Sequence, residues 1–99
     1  METWFVLRRR GPGFDAAAAV EGQPDWEGHA ACMVRLAKGG HLLFSGPYGD
    51  REGALLIFRT ENEAQVEACV AEDPWTDMEV LVTERIARWD VRIERLPGA

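Results

Sequence analysis

The chain has 99 residues, 46% hydrophobic and 28% charged, with 17 acidic against 11 basic side chains and a net charge of −6. That length makes a single domain over residues 1–99 and leaves little material for a deep enclosed site in one copy. The composition excludes a disordered chain or a disulfide scaffold, and the acidic balance argues against nucleic-acid binding.

Thr3 to Leu7 is apolar, aromatic and β-branched, and reads as a first strand. Gly11-Pro12-Gly13 breaks it, and a loop runs to Pro24. Trp26 to Lys38 reads as a helix, with Trp26, Ala30, Met33 and Ala37 on one face. Asp25 is its predicted N-cap and Gly39-Gly40 its stop. His41 to Ser45 is a second strand, Gly46 to Asp50 a turn, and Gly53 to Arg59 a third strand. Thr60-Glu61-Asn62-Glu63 matches a capping box, followed by a helix to about Glu72 that Pro74 ends. Glu79 to Thr83 and Ile86 to Ile93 form a last strand, kinked near Glu84-Arg85.

The order β-α-β-β-α-β predicts an α+β fold, a ferredoxin-like antiparallel sheet with both helices on one face. That topology gathers Arg8 to Gly13, His29, Ser45 to Asp50 and Asp73-Pro74-Trp75 at one edge. The strands are apolar at consecutive positions, as in Ala54-Leu55-Leu56-Ile57-Phe58, so both sheet faces call for burial. Two helices cover one face. A second copy packed sheet to sheet is the expected cover, giving a homodimer.

His29 lies one turn into the first helix, towards the core. Asp73 lies on the inner face of the second helix at its C-terminal end, where the helix dipole disfavours a negative charge. An Asp73–His29 pair would orient the imidazole and leave its other nitrogen as a general base or acid. The plainer alternative is that Asp73-Pro74 is a helix stop and His29 a packed amphipathic residue. At most one of Arg8, Arg9 and Arg10 is expected to point into a given pocket, and Arg8 shares a face with Trp4 and Val6. It could grip a carboxylate or phosphate, or the three arginines could form a solvated strand end.

Cys32 and Cys69 suit a reduced cytosolic protein, as two small buried hydrophobes or as paired thiols. No secretory signal, membrane span or structural zinc pattern is present, and no metal or cofactor is expected.

The chain resembles the YCII-related (YciI-like) proteins. The resemblance rests on Val6-Leu7-Arg8-Arg9-Arg10-Gly11-Pro12, on Trp26-Glu27-Gly28-His29, on Ser45-Gly46-Pro47, and on Glu72-Asp73-Pro74-Trp75 with Arg88-Trp89. It implies a dimeric α+β barrel, and His29 and Asp73 match that family's proposed His–Asp pair. Cys32 departs from the pattern, where a bulkier or plain apolar residue is expected.

The expected function is cofactor-independent proton transfer on a small organic acid. His29 and Asp73 would be catalytic, and Arg8, Ser45, Gly46, Pro47 and Trp75 would contact the substrate. The alternative is a non-catalytic dimeric module that holds a small ligand or serves another protein. A thiol-based redox role for the cysteines is a third reading.

Overall fold

Alternate side chains at the centre of the first strand are buried: Trp4, Val6 and Arg8 face inwards from β1 (Glu2–Arg10). A computed structural model describes residues 1–95. The rest of the single-domain span, residues 96–99, lies outside the described residues. After β1 come α1 (Trp26–Lys38), β2 (Leu42–Tyr48), β3 (Gly53–Thr60), α2 (Glu63–Glu72), the one-turn α3 (Pro74–Asp77) and β4 (Leu81–Arg88). The sheet order is β2-β3-β1-β4, with every neighbouring pair antiparallel. The fold is the ferredoxin-like α+β arrangement predicted from the sequence. Among the described residues, no helix is long and apolar enough to cross a membrane.

The core lies between the sheet and the helices. Trp4, Val6, Leu56 and Phe58 meet Leu36 of α1 and Val66 of α2, with Cys32 and Cys69 among them. On the opposite face the pairing aligns Phe5 with Ile57 and Leu7 with Leu55, and Phe44 with Ile57. No helix of the described chain packs on that face: Ile57 is buried among its neighbours, but Phe44 is 54% exposed and Leu55 40%.

Several boundaries move for identifiable reasons. β1 runs three residues beyond Leu7, because Arg8 and Arg9 pair on both sides, with β3 and with β4. β2 runs to Tyr48, so Gly46 and Pro47 belong to the strand rather than to the turn. A proline is tolerated there because β2 is an edge strand and the lost donor interrupts no second ladder. The expected cap at Thr60 shifts two residues: Asn62 accepts from the Gln65 N–H, and the Gln65 side chain accepts from the Glu61 N–H. Thr60 instead closes β3, with its hydroxyl donating to the Asn62 carbonyl. The predicted kink in the last strand is a bulge. Leu7 and Arg8 pair with Arg85 and Thr83, leaving Glu84 as the extra residue. The strand ends at Arg88, short of Ile93.

α1 keeps both predicted bounds. Asp25 accepts from the Gly28 N–H, and an added Cβ at Gly28 would stand 2.4 Å from that carboxylate. The loop before α1 is organised by Gln23, which is buried. Its amide accepts from the Asp15 N–H at 2.7 Å and donates to the Asp15, Ala18 and Ala19 carbonyls. Gln23→Ala should therefore loosen this loop at a cost of about 1–3 kcal/mol, the range for stranding buried backbone groups. Faster hydrogen exchange at the Asp15 amide would report it. An unchanged exchange rate would mean the loop holds without Gln23.

Candidate active site

Asp73 joins two helices. It closes α2 and caps α3, accepting the Trp75 N–H on Oδ1 at 3.0 Å, with Pro74 at the first helical position. Its side chain is wholly buried and ionised, so every lone pair must find a donor. Arg8 Nη1 donates to Oδ2 at 2.8 Å, and His29 Nδ1 stands 3.0 Å from both carboxylate oxygens. Burial alone would raise the Asp73 pKa. The His29 hydrogen bond, the Trp75 amide and the charges of His29 and Arg8 outweigh it and hold the carboxyl below its usual range.

A carboxylate only accepts, so His29 Nδ1 carries the proton and Nε2 keeps its lone pair in the neutral ring. Nε2 makes no hydrogen bond among the described residues. The ring lies flat on Trp75, with centroids 3.7 Å apart and planes 6° from parallel. Trp75 is fixed in turn, donating from Nε1 to the Pro24 carbonyl at 2.6 Å. Trp26 leans on both rings, at 5.7 Å from His29 and 5.9 Å from Trp75.

His29 and Trp75 form part of the wall of a cavity of about 300 Å³ between α1 and the sheet. Phe14 and Val20 from the loop, and Met33, Leu56 and Leu81 from the core, make it largely apolar. That volume suits a small ligand, at the low end of binding pockets. Ser45, Gly46 and Pro47 line it from β2. Among the described residues the Ser45 hydroxyl has only the Met33 sulfur, at 3.5 Å, as an acceptor, which leaves it able to bond a ligand.

The sequence brings His29, Asp73, Arg8 and Trp75 together as predicted, but Arg8 does a different job. Its forked end, expected to grip a ligand anion, is taken up by the protein. Nη1 goes to Asp73, and Nη2 donates to Thr76 Oγ1 at 2.8 Å and to the Leu81 carbonyl at 3.1 Å. Nε is the one guanidinium nitrogen with no acceptor among the described residues, and it is buried.

Two residues of the site escaped the sequence reading. Thr76 relays the Arg8 contact onward, its hydroxyl donating to the Val70 carbonyl at 2.7 Å. Its place three residues after a capping aspartate could have drawn notice. Arg51 lines the cavity from the β2–β3 turn, and a charge in a turn reads as ordinary solvated surface. The two cysteines are free and buried, and burial pushes both thiols up in pKa. Reactive thiols are shifted the other way, so neither resembles a redox centre. Among the described residues, no group of three potential ligands is placed to hold a metal ion.

No family model and no curated protein matches the chain. A solved structure does: 5-chloro-2-hydroxyhydroquinone dehydrochlorinase (TftG) from Burkholderia phenoliruptrix AC1100, in complex with 2,5-dihydroxybenzoquinone. It is 22% identical, with a TM-score of 0.67, covering 88% of this chain and 92% of the other. The likeness establishes the shared fold.

Proposed function

We propose that this protein is a cofactor-independent proton-transfer enzyme for a small organic acid, of the YCII-related type. The observation that carries the reading is the His29 ring. Its Nδ1 is fixed on a buried carboxylate while its Nε2 is left without a partner at a cavity. Nε2 takes a proton from carbon beside an electron-withdrawing group: the C–H bond breaks, an N–H bond forms, and the electron pair moves into the substrate. Returning the proton at another carbon completes an isomerisation, and loss of a leaving group completes an elimination. Asp73 holds the tautomer and faces the imidazolium that forms. Trp75 keeps the ring plane, and Ser45 with the Gly46 backbone supplies polar contacts at the β2 wall. A dehydrochlorinase on the same fold supports small-molecule chemistry by analogy only.

The test is deuterium uptake from D2O, followed by NMR, into a panel of small oxo acids and unsaturated lactones. His29→Gln is expected to slow uptake by about 10²- to 10⁴-fold, the usual scale of a general base. Equal rates for both proteins across the panel would overturn the reading. A ligand bound equally by both proteins and recovered unchanged would favour a binding module.

We propose, too, that two copies pack through the uncovered sheet face. The support is the exposed apolar row of Phe44, Leu55 and their neighbours, whose burial in an isologous contact needs no second kind of partner.

A further inference from the structure

Charge is distributed unevenly between the cavity and the rest of the molecule. The chain carries −6 overall, yet among the described residues no carboxylate side chain lines the cavity. Its charged lining residues are Arg8 and Arg51, with His29 as the remaining titratable group. A cationic lining in an acidic protein concentrates field lines where an anion would enter.

The two arginines are not equivalent. Arg8 is 1% exposed and ion-paired to Asp73 at 2.8 Å, so the pair is close to neutral. Its Nε–H is buried and has no acceptor among the described residues, in a side chain that lines the cavity. Such a donor suits an uncharged oxygen, and best one that gains charge during reaction. Among the described residues Arg51 has no buried counter-charge. Its Nη1 donates to the Ala18 carbonyl at 2.6 Å, and its Nε lies 3.9 Å from Asp50, whose side chain is 98% exposed and screened by water. Its position is held from behind by Arg10, which donates to the Arg51 and Asp50 carbonyls. Arg51 is therefore the group able to take a full negative charge.

We propose that the cavity selects a small oxo acid. Its carboxylate rests on Arg51, and its carbonyl oxygen accepts the Arg8 Nε–H beside His29. This deepens the proton-transfer reading and rests on it for the carbonyl's place. A proton lost from carbon next to that carbonyl leaves an enolate oxygen, a stronger acceptor for the Arg8 N–H than the carbonyl it came from.

Calorimetry with 4-oxopentanoate, its methyl ester and pentanoate tests the proposal. The oxo acid is expected to bind roughly tenfold or more tightly than either relative, the scale of one charge-assisted hydrogen bond. Arg51→Gln should erase the advantage of acid over ester while leaving the ester's affinity unchanged. Arg51→Lys, which keeps the charge, should retain part of that advantage. The ester or pentanoate matching the oxo acid overturns the proposal. So does an Arg51→Gln effect shared by acid and ester, an Arg51→Lys protein indistinguishable from Arg51→Gln, or no saturable binding of 4-oxopentanoate. Deuterium uptake into 4-oxopentanoate, compared between wild type and His29→Gln, separates this inference from the function it rests on. Discrimination without His29-dependent uptake removes the proton-transfer role alone. His29-dependent uptake without discrimination removes the oxo-acid selection alone.

Discussion

Asp73→Ala is expected to cost the fold about 3–5 kcal/mol, the range for removing one partner of a buried ion pair. Three donors converge on that carboxylate, from Arg8, His29 and the Trp75 amide. Deleting it strands the Arg8 guanidinium without counter-charge beneath the sheet and uncaps α3. Urea unfolding should show the loss as a lower midpoint at unchanged slope. Replacing both partners, with Arg8→Met and Asp73→Leu together, should cost less than the sum of the single changes, because no charge is then left buried. Additive losses would show that the two groups contribute separately and that the pair is not the unit.

The same carboxylate sets an acid limit. Its folded pKa lies below the ordinary Asp value. The folded state therefore binds fewer protons than the unfolded state in the interval between the two values. The contribution is fully present above the unfolded value, about 3.9, and is lost as pH falls through the lower folded value. Urea titrations from neutral pH into acid should show this slope in wild type and its reduction in Asp73→Ala. Identical slopes would remove Asp73 as the cause.

Leu55→Arg is expected to convert a dimer into a monomer. Light scattering at micromolar concentration should give wild type twice the 11.1 kDa chain mass and the variant one chain mass. Leu55 lies on the outer face of β3, beside Leu7 and in the same row as Ile57. Burying each such side chain contributes about 1.5–3 kcal/mol, and a charge at the centre of the contact would have to be desolvated without a partner. Leu55 is already 40% exposed in the isolated chain, so the substitution should leave the monomer's own stability nearly unchanged. A wild type of one chain mass would refute the paired-sheet proposal outright.

How much was legible in the sequence follows from how local each cause is. α1 was read to the residue because Asp25, Gly39 and Gly40 mark its ends by their own chemistry. The Glu84 bulge was visible as a charged interruption between apolar runs. The end of β2 was not, since accepting Pro47 depends on lying at the sheet edge, which only the strand order reveals. The His29–Asp73 pair was legible because the topology brings those two helix ends together. The Arg8 role was half legible: alternation placed the side chain inwards, but its partner lies 65 residues away. Nothing in a four-residue polar turn distinguishes Arg51 from any solvated charge.

The Arg8–Asp73 pair also shapes how such a protein can change over generations. Because the carboxylate that orients His29 is also a structural anchor, selection for a folded chain also preserves the placement of that ring. Phe14 and Val20 are under no such tie. They reach the cavity from a surface loop and are only partly buried. New side chains can be tried there at little cost to the fold. The cavity lining can then drift at the loop while the His29 ring stays fixed.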